Sequence, residues 1–357
     1  MRPVGDMTDR PPLTGVIEGF YGRPWTFSQR QAMVDDLADL GLDLYLYAPK
    51  ADAHLRRRWV HDWPAGARAA LAALAGRCRQ RGVTFCPGLS PFRLYERYRK
   101  PERDRLRRRV EQLNRLAAPR LAVLFDDMPG AVPELAARQA EILYDIDRFS
   151  DGEGLLVCPT YYSDDPVLDR VFGPRPARYR ERLGSALPAG AVVLWTGAAV
   201  CPERVSAEDL RGAAEAFGQP VALWDNWPVN DGAVRSRHLF LGPPPDRQGA
   251  LSRHCVGHLC NAMNQPVLSL PALAGLAALH GRIGDADGWL RARLGSGTSR
   301  ALAEDASLLA GTPRDRLSGR QRARLRERYG ALPGPAAKEL LAWLEGAWQF
   351  DPACLTD

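Results

Sequence analysis

The strongest constraint on the fold of this chain is a rhythm. A short apolar run, rich in Val, Leu and aromatics, ends in polar or Gly/Pro residues, and an Ala/Leu/Arg-rich stretch usually follows. The runs are Gly15–Gly19, Leu42–Ala48, Val83–Leu89, Leu121–Phe125, Gly154–Pro159, Ala191–Thr196, Val221–Trp224 and Val256–Cys260, eight in all. They are too continuously apolar for strands with one wet face, so parallel strands buried on both sides are expected. Between them, Phe27–Leu40 places Met33, Leu37 and Leu40 on one face, and Ala65–Arg81, Arg103–Leu116 and Val132–Tyr144 read as helices of the same amphipathic kind. Thr26 and Ser28 are suitable caps for the first of these. Eight strands alternating with helices predict an α/β fold, a (β/α)8 TIM barrel. A doubly wound open sheet is the alternative, but no GxGxxG or Walker loop follows any run.

The rhythm stops after Leu279. His280–Asp357 holds no convincing strand; it has a small-residue stretch, Gly295–Ser299, and helical segments near Ala301–Leu309, Ser318–Tyr329 and Pro335–Trp348. The expected organisation is an N-terminal extension over residues 1–12, a barrel over 13–282 and a helical C-terminal region over 283–357 packed on or beside it. With 357 residues, 45% of them hydrophobic, the chain can bury a large core. No segment has the roughly 18 consecutive apolar residues of a membrane span, and MRPVGDMTDRPP lacks the apolar centre of a secretory signal. A cytoplasmic protein without a membrane partner is the expectation. Seven scattered cysteines, an odd count, fit a reducing compartment better than a disulfide framework. The net charge of +6 rests on arginine, with lysine only at Lys50, Lys100 and Lys338. The run Arg105, Arg107, Arg108, Arg109 has Glu102, Asp104 and Glu111 interspersed and reads as a solvated helix face, so no nucleic-acid partner is expected.

In such a barrel the active site forms where the strands end. The first run ends in Glu18-Gly19-Phe20-Tyr21, the second in Tyr45-Leu46-Tyr47-Ala48-Pro49-Lys50, the fourth in Asp126-Asp127, the fifth in Cys158-Pro159-Thr160-Tyr161-Tyr162, the seventh in Trp224-Asp225-Asn226 before Asn230-Asp231, and the eighth in Asn261. Aromatic faces suit the C–H faces of a pyranose, and carboxylates, amides and an ammonium suit its hydroxyls. Successive side chains on a regular strand point to opposite faces, so Asp126 and Asp127 share a cleft only if the backbone turns there. Close negative charges raise at least one carboxyl above its ordinary pKa of about 3.9, which equips it as a general acid. Capping of the next helix, or a cation site, is the plainer use of such a pair.

The segments GVIEGFYGRPW from Gly15, YLYAPK from Tyr45, LFDD from Leu124, CPTYY from Cys158, LWTG from Leu194, WDN from Trp224 and LFLGP from Leu239 run in order along about residues 13–265. Together they resemble the family 84 glycoside hydrolases, the O-GlcNAcase and bacterial β-N-acetylglucosaminidase group. The resemblance implies retaining, substrate-assisted hydrolysis, in which the acetamido oxygen of the sugar attacks its own anomeric carbon to form an oxazoline, an exception to the usual two-carboxylate arrangement. By that resemblance Asp126 takes the acetamido N–H, and Asp127 protonates the leaving oxygen and then activates water. Tyr162 resembles the donor to the acetamido oxygen, Trp224 and Cys158 resemble walls of the acetyl pocket, and Tyr21 resembles a nearby aromatic wall. Gly19, Lys50, Asn226, Asp231 and Asn261 resemble contacts to ring hydroxyls. No cofactor is implied, and the partner is a substrate bearing terminal β-linked GlcNAc: a glycoprotein, a glycopeptide, or a small or peptidoglycan-derived glycoside. Tyr161 stands where relatives commonly carry an acidic residue, a departure expected to alter the pocket rim or the leaving-group side. A catalytically silent sugar-binding protein is the alternative from another class, but such a relative is expected to have lost one aspartate, and both remain.

Two other chemistries are weaker. His254, Cys255, His258 and Cys260 crowd together, but strand alternation separates Cys255 from the pair His258 and Cys260 and leaves no regular zinc spacing, so no metal is expected. Cys158 as a nucleophile needs a His partner, and the sequence places none.

Overall fold

The computed structural model describes residues 12–247, 255–348 and 350–356. Eight parallel strands close into a barrel in sequence order: β1 Leu13–Glu18, β2 Leu44–Tyr47, β3 Thr84–Leu89, β4 Leu121–Leu124, β5 Leu155–Cys158, β6 Val192–Trp195, β7 Val221–Asp225 and β8 Gly257–Asn261. β1 pairs with both β2 and β8, which removes every sheet edge. The eight apolar runs are these eight strands, and the open-sheet alternative falls. Strand residues such as Leu121–Leu124 and Leu155–Cys158 are buried throughout, because side chains on one face fill the barrel while those on the other meet helices.

The helices are α1 Phe27–Asp39, α2 Ala65–Arg81, α3 Lys100–Asn114, α4 Leu135–Phe149, α5 Pro166–Phe172, α6 Tyr179–Gly184, α7 Ala207–Phe217, α8 Leu270–Leu279, α9 Ala286–Leu294, α10 Ser296–Gly311, α11 Gly319–Gly330 and α12 Pro335–Leu344. α1 starts at a capping box: the Thr26 hydroxyl accepts from Gln29 N, and Gln29 Oε1 accepts from Thr26 N. Met33 and Leu37 are buried on α1, and Leu40 caps its end. On α3, Arg105, Arg107 and Arg108 are exposed, as a solvated face requires. Arg109 is not: its guanidinium lies 3.9 Å over the Trp63 ring and donates to His54 O. The solvated face expected of the whole run therefore excludes Arg109, which points towards the loop after β2.

A second apolar cluster joins Leu302, Leu309, Leu325, Tyr329, Leu340 and Trp343 of the C-terminal helices to Leu239, Leu241, Met263 and Leu268. α8 is buried nearly all round, packed against β1 and β8 on the barrel and against α9. Polar pins fix the docking. Glu339 accepts from the N–H groups of Val267 and Leu268 at 3.0 Å each, Trp343 Nε1 donates to Ser236 O, and Arg293 pairs with Asp36 on α1. The small-residue stretch Gly295–Ser299 forms the junction and first turn of α10. Among the described residues no helix is long and apolar enough to cross a membrane.

Candidate active site

Each of the eleven side chains or glycines singled out from the sequence lines one pocket beyond the C-terminal ends of the strands. Gly19 and Tyr21 follow β1, Lys50 follows β2, Asp126 and Asp127 follow β4, and Cys158 ends β5 with Tyr162 after it. Trp224 lies on β7, Asn226 and Asp231 follow it, and Asn261 ends β8. Strand alternation decides which neighbours are excluded. Glu18 turns to the helix side and is bound by Arg30 Nε and Nη2 and by the Tyr45 hydroxyl. Asp225 likewise turns outward, to Arg247 and His258.

Asp126 and Asp127 face the same pocket because β4 has ended at Leu124 and the backbone reverses its sense at Asp127, whose φ is +85°. Lys50 Nζ is hydrogen-bonded to Asp126 Oδ2 and lies 3.5 Å from Asp127 Oδ2. The Tyr21 hydroxyl donates to Asp127 Oδ2 at 2.6 Å, so Tyr21 is more than a wall. Asp126 Oδ1 is buried and has no hydrogen-bond partner among the described residues. Burial is the largest influence on both carboxyls and raises both. In Asp126 it prevails, helped by the charge of Asp127, and the carboxyl lies above the usual range despite Lys50. In Asp127 the attractions of Lys50, the Tyr21 O–H and Arg56 overcome it, and the carboxyl lies below the usual range. One raised carboxyl was expected. With the protein's own groups alone it is Asp126, rather than the residue that resembles the acid.

A hydrogen-bonded chain sets the far wall. Trp224 Nε1 donates to Asn226 Oδ1 at 2.9 Å, Asn261 Nδ2 donates to the same oxygen at 2.9 Å, and Asn261 Oδ1 accepts from Gly19 N at 3.2 Å. Asn226 Nδ2 donates to Val200 O at 2.7 Å. Asp231 accepts from Tyr21 N at 2.7 Å, and burial pushes its carboxyl up to about 6. The Tyr162 hydroxyl is 3.4 Å from Asp127 Oδ1 and 3.3 Å from Thr356 Oγ1. Burial and the nearby Asp126 charge push the Cys158 thiol well above its ordinary pKa, which does not suit a nucleophile.

Sequence reasoning missed part of the lining. Thr196 lies in the LWTG segment just after β6, and Arg235 opens a 3-10 turn in the loop after β7, donating to Val229 O and Asn226 O. Cys354 and Thr356 reach the pocket from the far end of the chain, where no local pattern announces them. Tyr161 does not touch the rim as expected: it is fully buried, donates to Gly173 O at 2.7 Å and packs edge-on against Tyr179. Asn264 donates to Tyr21 O and so braces the site from behind. His254 lies outside the described residues. Asp225, His258 and Cys260 bring possible ligand atoms within 4.8 Å of one another. The Arg247 guanidinium and His258 Nε2 already occupy both Asp225 oxygens, so this donor set does not fit a metal ion.

A family model described as beta-N-acetylglucosaminidase matches residues 14–287. Protein O-GlcNAcase of Mus musculus is 31% identical over 258 residues, 70% of this chain and 28% of that protein. Protein O-GlcNAcase of Rattus norvegicus matches with the same identity and coverage. The chain therefore spans 28% of the length of these relatives. A solved structure of a Thermobaculum terrenum O-GlcNAc hydrolase mutant shares the fold, with a TM-score of 0.77 and 24% identity over 93% of this chain and 80% of that one. The ordered barrel, its rim and the span of residues 14–287 place the chain in the beta-N-acetylglucosaminidase family of glycoside hydrolases.

Proposed function

We propose that this chain is a retaining exo-β-N-acetylglucosaminidase that removes terminal β-linked GlcNAc by substrate-assisted catalysis through an oxazoline. The observation that carries the reading is Asp126 Oδ1, a buried carboxylate oxygen without a partner among the described residues, in a pocket walled by Trp224, Cys158 and Tyr162. An acetamido N–H supplies the missing donor. In that pose the Tyr162 hydroxyl donates to the acetamido oxygen and aims it at the anomeric carbon, a gain from proximity. Asp127 protonates the leaving oxygen and afterwards takes a proton from water as the oxazoline opens. Lys50, Asn226, Asp231 and Asn261 meet ring hydroxyls.

The proton order fits this sequence of events once a sugar is bound. The acetamido N–H favours the charged form of Asp126, and developing positive charge on the nitrogen strengthens that preference. The sugar draws Lys50 towards a hydroxyl and excludes water from Asp127, which shifts the proton to the acid. The test is a pair of variants. Asp127→Asn should abolish turnover of glycosides with poor leaving groups while sparing activated aryl glycosides more, and Asp126→Asn should cripple both. Wild-type activity in both variants contradicts the proposal.

A further inference from the structure

We infer that Arg56 is a positioning residue for the reaction, holding the peptide of Asp127 in the turn that brings the second carboxylate into the pocket beside the first. The inference rests on the hydrolase reading above. Its starting point is a geometric conflict. Consecutive strand residues diverge, yet Asp126 and Asp127 line one pocket. The conflict is resolved at Asp127, the one pocket-lining residue among the described non-glycine residues with positive φ. A side chain in that region carries strain and persists only where its surroundings over-determine it.

Arg56 supplies the grip on the backbone. Its Nη2 donates to the Asp127 carbonyl oxygen at 2.9 Å. The residue is 6% exposed, and its guanidinium carbon lies 5.0 Å from the Phe92 ring centre and 5.9 Å from that of Tyr21. Its Nε is buried and has no hydrogen-bond partner among the described residues, so that edge of the guanidinium is not spent in a two-pronged ion pair. The loop carrying it is braced on both sides: Ser90 N donates to Leu55 O at 2.8 Å, and buried Arg109 donates to His54 O at 2.8 Å. The Tyr21 hydroxyl then fixes the carboxylate that Arg56 has turned inward. The Arg56 charge also favours the ionised form of both aspartates. A planar guanidinium packs against both rings and still reaches a carbonyl, a combination that a compact ammonium serves less well.

The test compares Arg56→Met and Arg56→Lys in the full chain on two substrates, nitrophenyl and methyl N-acetyl-β-glucosaminide. The first needs little protonation of its leaving oxygen; the second depends on Asp127. A positioned acid contributes about 10²–10⁴-fold, and an ångström of displacement costs up to about 10²-fold. Arg56→Met is therefore expected to lose about 100-fold or more in kcat on the methyl glycoside and about tenfold or less on the nitrophenyl one. Its basic pH limb moves upward, because a cation beside the acid is gone. Arg56→Lys keeps the pH limb near that of the wild type but retains part of the leaving-group split, and it supplies the same readout should the Met variant not fold. Equal fractional losses on both substrates, as general loosening gives, overturn the inference. A wild-type chain inert on both substrates refutes the hydrolase reading, and this inference with it.

Discussion

Gly19 offers a test of the far wall, because a single methyl group there has a defined collision. A Cβ on Gly19 would lie 2.8 Å from Trp224 Cζ2, 3.2 Å from its Cη2 and 2.8 Å from Ile17 Cγ2. The indole has little freedom to retreat, since its Nε1 is held by Asn226, which is in turn held by Asn261 and Val200 O. Overpacking of this kind costs about 1–3 kcal/mol. If Gly19→Ala displaces the wall against which the acetamido group is proposed to sit, kcat/KM on nitrophenyl N-acetyl-β-glucosaminide falls by about 5- to 150-fold at 1.4 kcal/mol per tenfold. The companion variant Trp224→Phe removes the colliding Cζ2 and Cη2 atoms. In the double variant the two losses should add to clearly less than their sum, the mark of direct contact. The assay is steady-state kinetics on all four proteins, with thermal unfolding as a control. Gly19→Ala with kcat/KM within twofold of wild type, or strict additivity with Trp224→Phe, refutes the account of a pinned indole forming the wall.

Two further outcomes follow from the C-terminal helices and the segment after them. Burial pushes the Glu339 carboxyl up to about 8, against about 4.3 for an ordinary glutamate, so the folded protein holds that proton more tightly than the unfolded chain. Between about pH 4.5 and 8 this group therefore lowers stability as pH rises. The Tm of Glu339→Gln relative to wild type should climb across that window, and a constant difference contradicts the assignment. Thr356 and Cys354 border a cavity of about 50 Å³, room for about four waters at the ~10–15 Å³ each requires and less than a pyranose fills. Removing the chain from Phe350 onward frees Tyr162 from a hydrogen bond to Thr356 of about 1 kcal/mol and should raise kcat/KM about two- to tenfold. An unchanged or lower value shows that the segment does not compete with substrate.

The barrel was legible because each strand is a buried apolar run, a signal local in sequence. The rim was legible because chemistry gathers where those runs end, and the eleven selected positions meet in one pocket. What escaped was orientation and distance. Tyr161 and Tyr162 are adjacent, yet one packs into the layer around α6 and the other enters the pocket. The period-two rule separates them only once the end of β5 is known. Arg109 shares its helix with exposed arginines but is turned onto Trp63. Thr356 lies 194 residues from Tyr162, and the docking of α12 through Glu339 that brings it near leaves no local trace. The order of the two aspartate pKa values depends on which oxygens Lys50, Tyr21 and Arg56 reach, which spacing cannot encode.

The central claim is that the substrate supplies its own nucleophile. It is tested most directly by comparing kcat/KM for nitrophenyl N-acetyl-β-glucosaminide with that for nitrophenyl β-glucoside, identical but for a hydroxyl in place of the acetamido group. The account predicts turnover of the first and loss of nearly all activity on the second, since Asp126 and Tyr162 then have nothing to orient. Comparable rates on the two substrates contradict it.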